Sequence, residues 1–362
     1  MKSRAMVLEK FGASLKASEI DIPVLEEGQV LVKIDIAGVC GSDVHIARGH
    51  DPRVPLPIIL GHEGVGHVAA VKGERSYVQG GAVHEGDKIM WNRGYSCGRC
   101  ASCLIHKEPS VCKDRKVYGI NMSCETAPYL NGCYAEYMIL SPLTDLFIVD
   151  GSIPSDVLVT TACSGATVAH GFDMVNTHIG QTVLIQGPGP LGAYAAMFAK
   201  STGASEVIVT GGSQNRLEVC RKFGATMALN RRRTTEAERY EIVMERTRGN
   251  GVDLVVETAG SPGVVEEGIK LVRPGGTYLS IGFSQPAGIQ RLDFYKDVVK
   301  KNVRIQGVWV SDCRHTFLAM ELCRQHPEAF RNLVTHSFPL ERANEALAAM
   351  AGREAMKAVL EM

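Results

Sequence analysis

Within the stretch CGRCASCLIHKEPSVC stand four cysteines, Cys97, Cys100, Cys103 and Cys112. Their spacing, C-x2-C-x2-C-x8-C, suits four thiolates wrapped around one tetrahedral ion at about 2.3 Å each. A shell closed in this way offers no coordination position to a substrate. It predicts a structural zinc that pins a long loop. Free thiols in a loose lobe are the bland alternative, and an iron–sulfur cluster is a third, although the run lacks the trailing Cys-Pro of ferredoxin patterns.

Three other stretches carry metal-capable side chains: AGVCGSDVH with Cys40, LGHEGVGHV with His62 and Glu63, and TTACSGATVAH with Cys163. Two thiolates and one neutral imidazole balance the charge of Zn²⁺ and leave a fourth position open for water or substrate. Taken singly, each has a plain reading. Cys40 or Cys163 alone suits a buried apolar thiol, and His62 alone suits a hydrogen-bonded core residue.

A further candidate is the run TVLIQGPGPLGAYAAMFAKSTGA, in which Gly187, Gly189 and Gly192 form GxGxxG between an apolar run and a helix of small residues. The first glycine permits the tight turn, the second lets backbone approach a pyrophosphate, and the third lets helix and strand pack closely. Unpaired N–H groups at the helix start, around Pro190 and Leu191, would face the phosphates. The next strand, EVIVT, leads into GGSQNR, so Gly211 stands where an NAD-binding carboxylate is expected. Without that carboxylate a 2′-phosphate meets no repulsion, and Ser213 and Arg216 are near enough in sequence to meet it. The pattern leans towards NADP without excluding NAD.

The elements that must carry these residues fall into two textures. Residues 28 to 150 hold short β-rich runs separated by Gly, Pro and Asp turns, the mark of an irregular, mostly antiparallel β domain. From about 155 to 309 an apolar strand, a glycine and a helix alternate, which predicts βαβ units on a buried parallel sheet. A length of 362 residues suits two domains. With 45% hydrophobic and 22% charged residues and a formal net charge of +0, the chain shows no basic surplus for a nucleic-acid partner. Arg231, Arg232 and Arg233 form the only basic run and suit a solvated loop. The start lacks the apolar h-region of a secretory signal and no apolar run is long enough to cross a bilayer, so neither membrane nor secretion is expected, and the chain is expected in the cytoplasm. In that reducing compartment eleven cysteines favour metal or catalytic roles over disulfides.

Taken in order, VCGSDVH, GHE.VG, CGRCASC with its trailing cysteine, GCYAEY, CSGAT and GPGPLG resemble the zinc-dependent medium-chain alcohol dehydrogenases over nearly the whole chain. The resemblance implies an α/β protein: a GroES-like, mostly β catalytic domain made from both chain ends around a Rossmann domain with a doubly wound parallel sheet. On this sequence the boundaries are 1–160 with the zinc lobe at 93–115, then 161–309, then a return at 310–362. It implies that Cys40, His62 and Cys163 carry a catalytic zinc, with Glu63 behind or intermittently on the metal and Asp43 steadying His62.

The implied chemistry is the removal of a proton and a hydride from an alcohol, or the reverse reduction of a carbonyl: zinc lowers the pKa of the alcohol and the hydride passes to the nicotinamide. Ser42 and His45 stand at the offsets of the family's proton relay, although an exposed surface histidine would look the same. Thr167, Thr258, Ala259, Ile281 and Gly282 match positions around the nicotinamide half of the cofactor, Arg216 one near the adenosine ribose, and Lys357 one that reaches the pyrophosphate. Gly41 stands where some relatives place an arginine for that phosphate. The family forms dimers or tetramers, built partly from the strand in NVRIQGVWV.

For the substrate, MWNRGYSC puts Asn92 and Arg93 where an apolar ring often sits in the family. A guanidinium there suits a polyol, a hydroxy acid or a phosphorylated alcohol. Equally, Arg93 could pair with a carboxylate of the protein. A zinc-free quinone or enoyl reductase on the same scaffold is the rival enzyme class, and the joint presence of Cys40, His62 and Cys163 argues against it.

Overall fold

The strand Val30–Val39 (VLVKIDIAGV) is buried along almost its whole length, with only Lys33 fully exposed. A run of β-branched residues covered on both faces belongs at the centre of a sheet, and that is where it lies. It pairs antiparallel with Gly64–Val71, with Tyr137–Leu140 and with Lys357–Glu361. The last of these brings the chain's end beside its beginning: Ala358 lies opposite Val39. Seven strands make up this sheet, and its apolar face joins Leu8, Ile34, Ile59, Tyr134 and Leu360 in one core.

The computed structural model describes residues 1–362 and divides into two units. The first comprises Met1–Cys163 and Ser311–Met362, and the second Ser164–Val310. The expected boundaries at 160 and 309 therefore shift by a few residues. That shift matters chemically, because it moves Cys163 out of the nucleotide-binding segment and into the unit that holds Cys40 and His62. The lobe that begins at Arg93 belongs to the same unit. It contains the paired strands Gly94–Tyr95 and Lys116–Val117 and the short helix Ala101–Leu104.

The second unit is a six-stranded sheet, parallel throughout. Its spatial order is Met227–Asn230, Glu206–Gly211, Thr182–Gln186, Val252–Glu257, Val272–Ser280 and Arg304–Gly307. The order reverses beside Thr182–Gln186, and a crevice outside the strand ends at such a switch point is where a doubly wound sheet binds its ligand. The GPGPLG turn follows that same strand. A side chain on Gly192 would meet the carbonyl oxygen of Gly187 at 1.8 Å, so the helix Pro190–Ser201 can start this close to its strand only with glycine there. No helix in the chain is long and apolar enough to cross a membrane.

Candidate active site

Cys40 ends the central strand and stands at the N-cap of the helix Gly41–Ala47. One turn in, Asp43 folds back and its Oδ2 accepts the Cys40 backbone N–H at 2.7 Å. Asp43 is fully buried, and a buried carboxylate needs several partners. It finds two more: the Tyr134 hydroxyl donates to Oδ2 at 3.1 Å, and His62 Nδ1 faces Oδ1 at 3.3 Å. This last contact has ion-pair distance but not hydrogen-bond alignment, since neither atom completes a hydrogen bond. It turns the other ring nitrogen, Nε2, towards the cysteines.

Cys163 arrives from the opposite side of the sequence, at the start of the helix Ser164–Met174. Its sulfur lies 4.0 Å from that of Cys40. A disulfide needs about 2.05 Å, whereas two ligands on a tetrahedral zinc at about 2.3 Å each lie about 3.8 Å apart. The donor atoms of Cys40, His62, Glu63 and Cys163 all lie within 4.8 Å of one another. Spacing and donor chemistry therefore both fit one zinc ion. The two thiols share charge unequally, for the Cys40 contact first and burial second push Cys163 well above its ordinary range. Hydrogen bonding from Cys163 holds the Cys40 thiol well below its ordinary range. Burial alone would lower His62, but Asp43 and Cys40 reverse this and raise it to about 10. These shifts mark the pocket as electronegative, which suits a cation.

Glu63 is fully buried beside this set, and burial together with the nearby Cys40 raises its pKa while Lys357 opposes the rise. The Lys357 ammonium donates to Oε1 at 2.6 Å and is ion-paired with Oε2. Gly38 makes the room: a Cβ there would lie 2.1 Å from Glu63 Oε2. Lys357, the residue whose family position implies a pyrophosphate contact, is paired with Glu63 inside the metal-site unit. Glu63, neutralised by Lys357, is held 3.9 Å from His62 Nε2, and two thiolates with one imidazole remain to balance the ion.

Ser42 and His45 share the helix Gly41–Ala47. The Ser42 hydroxyl lies 3.5 Å from His62 Nε2. Partial burial, helped by His50 and Arg48, lowers the pKa of His45, so its ring is neutral near pH 7 and able to accept a proton. Its Nδ1 is buried without a partner.

Of the two expectations for Arg93, the pairing with a protein carboxylate is not found. Arg93 is 5% exposed, its Nη1 donates to Cys163 Sγ at 2.8 Å, and its Nε has no partner. Asn92, by contrast, is used by the fold: its amide donates to Asp145 at 3.3 Å and its oxygen accepts from Thr316 at 3.4 Å.

The second cysteine cluster has a different character. Sulfur separations of 3.5 Å for Cys97–Cys112 and Cys100–Cys103 and 3.8 Å for Cys100–Cys112 suit four ligands of one ion. Backbone and thiol hydrogen bonds, Cys103 foremost, pull Cys100 down to about 6. No carboxylate or lysine is built around it as around Cys40.

In the nucleotide-binding unit the strand ends converge on one buried carboxylate that sequence reasoning missed. Glu257 Oε1 accepts the backbone N–H groups of Ala259 and Gly260 at 2.6 Å each, and Oε2 accepts that of Gly282 at 3.2 Å. The Thr258 hydroxyl donates to the carbonyls of Gln186 and Gly187 at 2.9 Å. In this way Thr258, Ala259, Ile281 and Gly282 are tied to Gly187, the first glycine of the loop that continues through Gly189, Pro190 and Leu191. Thr167 is the one half-buried position in an otherwise buried stretch from Thr161 to His170. Ser213 caps the helix Gln214–Lys222, in whose first turn Arg216 lies.

A carboxylate at position 211 is excluded by packing, since a Cβ there would lie 2.3 Å from the Pro188 ring. Arg232 is exposed in a turn, as expected, and its Nε lies 3.6 Å from where a Cβ on the adjacent Gly212 would project. Its neighbour Arg231 is ion-paired with Glu267 at 3.2 Å.

Residues 26–149 match the family model described as alcohol dehydrogenase GroES-like domain, and residues 190–323 match the one described as zinc-binding dehydrogenase. A 5-exo-hydroxycamphor dehydrogenase of Pseudomonas putida is 31% identical over 94% of this chain and 94% of its own length. An L-threonine 3-dehydrogenase of Vibrio vulnificus is 28% identical over 100% of this chain and 99% of its own. The crystal structure of an alcohol dehydrogenase from Thermotoga maritima superposes with a TM-score of 0.97 at 45% identity, covering 100% of this chain and 99% of that one. With these likenesses over its full length and a donor set that fits zinc, the chain belongs to the zinc-dependent medium-chain alcohol dehydrogenase family, NAD(P)-dependent oxidoreductases that act on alcohols.

Proposed function

We propose that Cys40, His62 and Cys163 hold the catalytic zinc, with Glu63 as an adjacent carboxylate, and that Cys97, Cys100, Cys103 and Cys112 hold a second zinc that only stabilises the lobe. The observation that supports this most is the meeting of four donor atoms within 4.8 Å from three distant stretches of sequence. Bound there, zinc supplies a Lewis acid that makes a substrate hydroxyl easier to deprotonate, and the nicotinamide supplies the hydride acceptor. The chain's residues do the rest. Asp43, itself held by Tyr134, orients the His62 ring. Lys357 neutralises Glu63 so that the inner charge balances. Ser42 accepts the hydroxyl proton as it releases its own, and His45, neutral near pH 7, receives the released proton and passes it to solvent. In sum, an alcohol loses one hydride and one proton and becomes a carbonyl compound, and NAD(P)⁺ becomes NAD(P)H.

The GPGPLG turn and the loops tied by Glu257 bind the dinucleotide, with Thr167 beside the nicotinamide. The cofactor preference is for NADP. Gly211 carries no carboxylate, and Ser213, Arg216 and Arg232 would meet a 2′-phosphate. The enzyme works in the cytoplasm as a homodimer or homotetramer.

A panel of alcohols read at the reduced-nicotinamide absorbance, run with NAD and with NADP on protein of known zinc content, tests this function. Turnover with two zinc ions per chain and a higher kcat/KM for NADP is expected. Turnover by protein that carries only the four-cysteine zinc would refute the metal assignment, and a strong preference for NAD would refute the cofactor assignment.

A further inference from the structure

A guanidinium that is 5% exposed is costly to keep unless anions accompany it, and within the chain Arg93 has the sulfur of Cys163 but no carboxylate partner. The charged groups around it make this more pointed. Arg115 is also buried, and its pKa is lowered to about 10, first by burial and then by the charge of Arg93. The nearby carboxylates are taken: Asp145 accepts from Asn92, and both Asp145 and Asp312 bear on Arg115. Arg115 spends its own donors on the carbonyls of Ser311 and Pro109 and the hydroxyl of Ser96. Arg115 leaves only its Nε unpaired, whereas Arg93 engages a single nitrogen of its fork. Nη1 goes to Cys163 Sγ at 2.8 Å, while Nε has no acceptor.

We propose that Arg93 recognises a carboxylate of the substrate, so that the alcohol oxidised at this site is a short hydroxy acid. This inference rests on the reading of Cys40, His62 and Cys163 as the catalytic metal site. The edge of a guanidinium formed by Nε and one Nη is the edge that binds a carboxylate through two parallel hydrogen bonds. Because Nη1 touches a proposed metal ligand, a carboxylate held on the rest of the fork would lie close to the reacting carbinol, as in a short hydroxy acid. A 2-hydroxy or 3-hydroxy acid fits that description. The acid loses a hydride to NAD(P)⁺ and a proton to solvent, and the product is the corresponding oxo acid.

The test uses the zinc-loaded enzyme with matched pairs, lactate against propane-1,2-diol and 3-hydroxybutyrate against butane-1,3-diol, together with calorimetric binding of oxamate, which cannot react. Wild-type enzyme is expected to favour the acid of each pair by at least about tenfold in kcat/KM and to bind oxamate. In Arg93→Gln the acid-to-diol ratio should fall by about a hundredfold and oxamate binding should weaken in parallel, while Arg93→Lys, which keeps charge but not the fork, should fall between. Equal loss on acids and diols in Arg93→Gln, with oxamate binding intact, would show that Arg93 serves only Cys163 and would overturn the proposal. A wild-type preference for the diols, or for glycerol 3-phosphate over glycerate, would overturn it as well and needs no variant to fold. Failure of the underlying metal-site reading looks different: no alcohol of any charge is oxidised by fully zinc-loaded protein.

Discussion

Two cysteine-bearing clusters lie in the same unit of this molecule, and they differ in almost everything except their fit to zinc. Cys97, Cys100, Cys103 and Cys112 come from sixteen consecutive residues, and three of the four are only partly buried. Their geometry needs little beyond the local turn and the short helix Ala101–Leu104. Cys40, His62 and Cys163 come from three separated stretches, and the groups around them are buried and charged: Asp43, Glu63, Lys357 and Arg93. A four-thiolate shell carries its own charge and closes on itself. A shell with an open position must be held in shape from outside, and a network of buried ion pairs and hydrogen bonds is what holds it. The contrast separates a staple from a reaction centre.

Removing a ligand from each cluster should separate them most sharply. His62→Ala is expected to keep the fold and the lobe's zinc while turnover drops by roughly ten-thousand-fold, the scale of a lost Lewis acid; zinc analysis alongside kcat checks it. Next in size is the network. Lys357→Met strands Glu63 as an uncompensated buried carboxylate, and a loss of about 3–5 kcal/mol in denaturant unfolding is expected. An unchanged midpoint would mean that Glu63 is not charged in the folded protein. Cys103→Ala should release the lobe's ion and lower stability by a few kcal/mol, with kcat per folded molecule within about threefold of wild type. A collapse of kcat in this variant would erase the distinction between the clusters. Smallest is Tyr134→Phe, which removes one hydrogen bond to Asp43 and should weaken zinc at the buried site by about tenfold in chelator competition, leaving the lobe's zinc unaffected.

The same contrast explains what could be seen in the amino-acid sequence. The lobe was legible because its ligands are neighbours and their spacing is itself the geometry. The parallel sheet and its GxGxxG turn were legible because strand and helix periods are local. The proposed ligands Cys40, His62 and Cys163 form a set only through resemblance to a family, since no spacing links Cys40 to Cys163, 123 residues away. Their supports were harder still. Tyr134 lies in the quoted GCYAEY, yet nothing local says that its hydroxyl turns to Asp43. Lys357 matched a phosphate-binding position, and only the pairing of Lys357–Glu361 with Val30–Val39 brings it against Glu63. Arg232 is exposed in a turn, as expected of the three arginines, and what the amino-acid sequence does not show is that the register of Met227–Asn230 beside Glu206–Gly211 sets it next to Gly212.

Diffraction data collected at the zinc absorption edge from crystals of the purified protein test the central claim most directly. The account predicts two anomalous peaks per chain, one among the four lobe cysteines and one about 2.3 Å from the sulfurs of Cys40 and Cys163 and about 2.0–2.1 Å from His62 Nε2. A fully zinc-loaded, active protein with a peak only at the lobe would contradict it.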